Sequence, residues 1–157
     1  MQWNQVIPGD IITTLGKNGR RSFTYHNEPL RFQLPESKCI FGLSEYNSLS
    51  LRMNDDFIEW YGGLERSLNS GCEPWSSALS NDLLRIKVDQ NTWVFDKTKQ
   101  IDESELYPER FQGYTIKCII ELCGIYYFKN NYGFTIKTYQ LLYDDGDEEC
   151  LIDLVEE

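Results

Sequence analysis

Tyr114-Thr115-Ile116-Lys117-Cys118-Ile119-Ile120-Glu121-Leu122 and Phe134-Thr135-Ile136-Lys137-Thr138-Tyr139-Gln140-Leu141-Leu142 decide how this chain folds. Both read as long β-strands. Between them Tyr126-Tyr127-Phe128 runs into Lys129-Asn130-Asn131-Tyr132-Gly133, whose Asn and Gly residues suit a turn. Upstream, Leu84-Arg85-Ile86-Lys87-Val88 and Thr92-Trp93-Val94-Phe95 flank Asp89-Gln90-Asn91, which predicts a short hairpin. The period changes over 55–69. Phe57, Tyr61, Leu64 and Leu68 recur at helical spacing, with Asn54 as N-cap and Ser70-Gly71 as stop, so one helix is expected there.

The first fifty residues return to strand patterns. Asp10 to Leu15 and Arg21 to Tyr25 flank Gly16-Lys17-Asn18-Gly19, a hairpin signal. Leu30 to Leu34 alternates and stops at Pro35, and Ser48 to Met53 alternates again. A single helical turn is expected within 102–110. Seven or so strands with one inserted helix predict a mainly β, OB-fold-like small barrel over 1–143, rather than an open α/β sheet.

With 157 residues, 41% of them hydrophobic, the chain can bury one core but hardly two. It has no long apolar run, and Met1-Gln2-Trp3-Asn4 does not begin a signal peptide, so an intracellular location is expected. Cys39, Cys72, Cys118, Cys123 and Cys150 form no C-x-x-C pair, and His26 is the sole histidine. Disulfides and structural zinc are therefore not expected. Cys118 and Cys123, an odd number of residues apart, should face opposite sides of one strand.

Net charge is −10, but its distribution matters more than its sum. Asp144, Asp145, Asp147, Glu148, Glu149, Asp153, Glu156 and Glu157 put eight acids and no base into 144–157, leaving 17 acids against 15 bases before them. That segment is expected to be a disordered acidic tail. Leu151, Ile152, Leu154 and Val155 are interleaved with its acids, a pattern suited to docking on a basic, apolar-lined partner or on the chain's own basic groove.

Basic residues share strands with aromatics: Lys17, Arg20 and Arg21 beside Phe23 and Tyr25; Arg85 and Lys87 before Trp93 and Phe95; Lys117, Lys129 and Lys137 around Tyr126, Tyr127, Phe128 and Tyr132. A binder of single strands needs such a mixture, because cations track phosphates while exposed rings stack on unpaired bases. The expected contacts are Lys17, Arg20, Arg21, Tyr25, Arg52, Arg85, Lys87, Trp93, Lys117, Tyr126, Tyr127, Phe128, Lys129 and Lys137. Against this, aromatics in β-proteins usually belong to the core, and Trp93, Phe95 and Phe134 taken singly read that way. Catalytic signals are thin. Gly16-Lys17 lacks the upstream glycine of a phosphate loop, and Asp10 with Glu36-Ser37-Lys38, placed at a turn by Pro35, matches a nuclease metal site only loosely.

Leu30-Arg31-Phe32-Gln33-Leu34-Pro35, Phe41-Gly42-Leu43-Ser44-Glu45-Tyr46 with Ser48-Leu49-Ser50-Leu51, Asn81 to Val88, Glu121 to Phe128 and Tyr132 to Gln140 resemble the single-stranded DNA-binding proteins of nucleocytoplasmic large DNA viruses. The resemblance implies an OB-fold protein related to the single-stranded DNA-binding proteins of T7-like phages, whose acidic C-terminal tails serve replication partners. This chain departs from them in ending on Val155-Glu156-Glu157 rather than on an aromatic residue. The expectation is a non-enzymatic, cofactor-free, sequence-tolerant binder of single-stranded DNA in viral replication, recombination or repair. It would work in host cytoplasm or nucleus, bind polymerase or helicase through the tail, and form a homodimer in one version of the reading. Two competing functions remain: a protein-interaction or virion-structural domain with an acidic docking tail, and a metal-dependent nuclease using Asp10, Glu36 and Lys38.

Overall fold

A computed structural model of the chain describes residues 1–17, 19–42, 44, 47–69, 71–96 and 111–144. Short 3-10 turns at Trp3–Gln5 and Pro8–Asp10 lead into β1 (Ile11–Leu15), β2 (Arg21–Tyr25), β3 (Leu30–Gln33), β4 (Ser37–Phe41) and β5 (Ser48–Arg52). Then come α1 (Asp55–Leu68), β6 (Leu79–Ser80), β7 (Leu83–Lys87), β8 (Trp93–Asp96), β9 (Thr115–Phe128) and β10 (Asn131–Asp144). The helical turn expected within 102–110 and the tail beyond Asp144 lie outside the described residues, while Asp144 itself closes β10.

The long hairpin is the spine of the sheet. Lys129 and Asn130, with φ of 49° and 65°, form the two-residue turn whose twist matches that of paired strands. The β9–β10 register slips twice, leaving Cys123 on β9 and Tyr139 on β10 without an opposite number. Such extra residues bend and twist a strand. Bent this way, β9 takes three short strands in succession along its other edge: Ser37 opposite Ile116, Leu30–Gln33 opposite Leu122–Ile119, and Arg21 opposite Ile125. From β4 the sheet continues through β5 and β7 to β6. Among the described residues the result is an open, mainly antiparallel sheet with one α-helix, in keeping with the mainly β, OB-fold-like architecture that the sequence predicts.

Two expectations are corrected. The segments around Asp89-Gln90-Asn91 do not form a hairpin, because β7 pairs with β5 and β6 while β8 runs parallel to β10, Trp93 opposite Gln140. The turn itself explains the departure. Asp89 Oδ1 accepts from Asn91 N at 2.8 Å, and the Thr92 hydroxyl donates to the Thr138 carbonyl at 2.8 Å, which carries the chain across to β10. Glu36-Ser37-Lys38 is likewise not a turn throughout: Pro35 ends the β3 segment, but the chain resumes as β4 at Ser37.

Helix α1 starts where Asn54 Oδ1 accepts from Phe57 N at 2.7 Å, with Asp55 and Asp56 in its first turn and Arg66 in its last. It buries Phe57, Tyr61, Leu64 and Leu68. Trp60 meets Phe32 edge-on at 5.4 Å, and Tyr61 meets Phe134 at 6.0 Å. Fully burying a side chain such as Phe57 or Leu64 contributes about 1.5–3 kcal/mol. Even-numbered Ile116, Cys118, Ile120 and Leu122 of β9 join the same core, while Cys123 faces the other way, as its odd spacing predicts. Burial pushes the Cys118 thiol up to about 12. Among the described residues, no helix is long and apolar enough to cross a membrane.

Candidate nucleic-acid interface

The β1–β2 turn and the β9–β10 hairpin face each other across a cleft of about 880 Å³. On one side Gly16 N donates to the Arg20 carbonyl at 2.7 Å, and Gly19, at φ 74°, lets the loop close. That loop presents Lys17 and Arg20, and Arg21 follows at the start of β2. The Arg21 guanidinium contacts Cys72 Sγ.

The floor depends on two glycines. At Gly124 a Cβ would run into the Arg21 carbonyl, so only glycine lets β2 lie this close against β9. Gly133 stands opposite Tyr126 in the β9–β10 register, and a Cβ there would meet the Tyr126 ring and the Ser76 carbonyl at 2.7 Å. The far wall carries Tyr126, Tyr127, Tyr132, Thr135 and Lys137. Tyr127 is 61% exposed, its ring 4.8 Å from that of Tyr132, and its hydroxyl donates to Asn130 Oδ1 at 3.1 Å. The Tyr132 backbone is held on both sides: its N–H donates to the Pro74 carbonyl at 2.9 Å, and its carbonyl accepts from Ser76 N at 2.6 Å. Glu65 of α1 fixes that loop by accepting from Trp75 Nε1 at 2.7 Å and the Ser77 hydroxyl at 2.9 Å. Burial raises the Glu65 carboxyl pKa, an effect that these two hydrogen bonds oppose.

Among the described residues, four cations, Lys17, Arg20, Arg21 and Lys137, line this cleft, and no carboxylate does. The nearby Glu121 carboxylate is neutralised by Arg31 at 2.8 Å. Cys123, also in the lining, stays a neutral thiol at physiological pH, because burial and the Glu121 carboxylate push its pKa up to about 11. The cleft can therefore hold polyanionic, ring-bearing ligands: cations meet phosphates, and phenol rings offer faces to bases.

Six of the residues singled out from the sequence thus lie together: Lys17, Arg20, Arg21, Tyr126, Tyr127 and Lys137. Others lie elsewhere. Tyr25 belongs to the core, its hydroxyl accepting from Ile7 N at 3.1 Å and its ring stacked on His26. Arg52 pairs with Asp82 at 3.3 Å and Lys117 with Glu36 at 3.6 Å. Arg85 and Lys87 point outward from β7, opposite to Leu84 and Ile86. Trp93, expected as a contact although taken singly it reads as core, is 49% exposed on β8 outside the cleft, whereas Phe134 is buried. Phe128 is exposed at the hairpin tip with the Lys129 ammonium 5.3 Å from its ring. Asp10 pairs with His26 at 3.0 Å and Glu36 with Lys117 at 3.6 Å, so the two carboxylates of the nuclease pattern have different partners. Among the described residues, no group of three or more His, Cys, Asp or Glu side chains is placed to hold a metal ion.

Sequence reasoning left Tyr132, Thr135 and the two glycines out of the site. The usable signal was Tyr132-Gly133 following the turn, since glycine within a strand marks a close approach.

No protein-family model and no curated protein sequence matches the chain, so the resemblance to proteins of large DNA viruses gains no support from either comparison. Among solved structures, the fold is similar to that of a C-terminal truncation of the single-stranded DNA-binding protein from bacteriophage Enc34. The TM-score is 0.52 at 8% identity, over 88% of this chain and 98% of that one. At that identity the likeness is one of fold.

Proposed function

We propose that this protein binds single-stranded DNA without strong sequence preference, in the cleft between the β1–β2 turn and the β9–β10 hairpin. The observation that carries the reading is the lining, which among the described residues has four cations, three tyrosines and no carboxylate. The fold likeness to a phage single-stranded DNA-binding protein supports it. Lys17, Arg20, Arg21 and Lys137 neutralise phosphates, and Tyr127 and Tyr132 stack bases. Every base has a π-face, so stacking tolerates any sequence. A duplex hides those faces and is bound less well. In this reading the protein protects template strands during replication, recombination or repair of viral DNA, and the acids beyond Asp144 dock a replication partner.

The test is fluorescence anisotropy of a labelled oligo-dT and an equal-length duplex at low and moderate salt. Tight, salt-sensitive preference for the single strand is expected; equal or absent binding at low salt would overturn the reading.

A second reading, self-association, rests on β1. Among the described residues this edge strand pairs only with β2, and it exposes Ile12 and Leu15. Unpaired edges with apolar side chains recruit further strands. Sedimentation of the wild type against an Ile12→Lys variant separates dimer from monomer.

A further inference from the structure

A second surface, sharing no residue with the cleft, combines an exposed ring, a cation and hydroxyls. Phe41 of β4 stands opposite Ser50 of β5, and Ser50 stands opposite Arg85 of β7. Residues directly opposite in an antiparallel sheet share a face. Here it is the outer face, because the alternating Leu49, Leu51, Leu84 and Ile86 are all buried. The row lines a depression of about 500 Å³ together with Gly42, Ser44 and Ser48, and among the described residues no carboxylate lines it. Phe41 is 57% exposed, an unusual position for a phenyl ring.

Arg85 is one of the cations without an ion pair among the described residues, whereas Arg31, Arg52 and Lys117 are each tied to a carboxylate. Lys87, opposite Ser48, adds a second outward cation at the same edge. Phe41 and Arg85 are two strand spacings apart, roughly 10 Å, the scale of one nucleotide unit. A planar ring at one end, a guanidinium at the other and serine hydroxyls between them match a base, a phosphate and the sugar that joins them.

We infer that the outer face of β4, β5 and β7 is a second nucleotide subsite, with Phe41 stacking a base and Arg85 binding the adjacent phosphate. The inference rests on the single-strand reading and extends it: a strand long enough to leave the cleft engages this face as well. Two sources share the chemistry, a continuous strand and a free nucleotide.

The experiment uses the full chain, the Phe41→Ala and Arg85→Gln variants, and oligo-dT of roughly six and roughly thirty nucleotides, bracketing the sizes one small barrel covers. Both side chains are exposed, so both variants should fold, which circular dichroism checks. For the long oligomer each variant is expected to weaken binding about five-fold or more. Arg85→Gln should also lower the slope of log affinity against log salt by about 0.7. The short oligomer should bind both variants as it binds the wild type. Photo-crosslinking with 5-iodouracil in the long oligomer should label Phe41. Competition by thymidine monophosphate for that crosslink supports a site for the free nucleotide, and a crosslink that persists supports the continuous strand. Variants that bind the long oligomer as the wild type does, with no label on Phe41, overturn the subsite and leave the cleft standing. A wild type that binds neither oligomer overturns the cleft reading and this one with it.

Discussion

Tyr126 stands opposite Gly133 in the β9–β10 register, and its ring occupies the space in which a side chain at position 133 would begin. The Ser76 carbonyl closes the same space from the neighbouring loop. Gly133→Ala must therefore move both a ring and a backbone oxygen. A loss of about 1–3 kcal/mol is expected from such overpacking, measured as a lower urea midpoint, with weaker oligo-dT binding because Tyr132 is next to the displaced residue. An unchanged midpoint would show that the loop yields freely.

The four cleft cations give a graded electrostatic prediction. Each of Arg20→Gln and Lys137→Gln should lower the salt slope for oligo-dT by about 0.7, and the double variant by about 1.4. Arg52→Gln and Lys117→Gln, whose charges are already met by Asp82 and Glu36, should change it far less. Equal effects from all four would mean diffuse attraction rather than a site.

Stacking is tested at the tyrosine pair. Tyr127→Ala and Tyr132→Ala should each cost about 1–3 kcal/mol of binding, while Tyr127→Phe, which keeps the ring and loses only the bond to Asn130, should bind nearly as the wild type does. A large loss in Tyr127→Phe would assign the work to the hydroxyl instead.

Tyr61 carries a buried hydroxyl without a hydrogen-bond partner among the described residues. Burial also raises its pKa, so it stays protonated. An unmet buried hydroxyl costs about 1–3 kcal/mol. Tyr61→Phe should therefore leave stability unchanged or raise it by about 1 kcal/mol, read by chemical denaturation.

Glu65 sets a pH dependence of definite sign. Its folded pKa lies above the ordinary 4.5, with burial as the largest cause, so folding takes up a proton in the window above that value. Its contribution is fully present below the window and is lost as pH rises through the folded pKa. The wild type should lose stability across that window relative to Glu65→Gln, which cannot titrate; parallel stability curves would refute the assignment.

The parts of the fold legible from sequence are those set by local chemistry. Asn54 with Phe57, Tyr61, Leu64 and Leu68 announces α1, and glycines between alternating runs announce the β1–β2 hairpin. What escaped was non-local. Nothing near Trp93 reveals that β8 runs parallel to β10, since the deciding bond, Thr92 to the Thr138 carbonyl, joins residues far apart in the chain. The cleft is legible only in part. Lys17 and Lys137 stand out in the sequence as phosphate contacts, but that they line one cleft follows from strand pairing far apart in the chain, while Tyr25, on a strand with Arg21, points its ring inward.

The dependence of β2, β3 and β4 on β9 also governs how the chain folds during synthesis. Leu30 waits for Leu122, and Ser37 for Ile116, so these early strands leave the ribosome with one edge unpaired. At typical elongation rates the wait is on the order of ten seconds. Pairings this distant in sequence are also slow to form once both partners exist. The nascent N-terminal half is thus the stage most exposed to aggregation and to chaperone capture, and the emergence of the β9–β10 hairpin is the event that ends it.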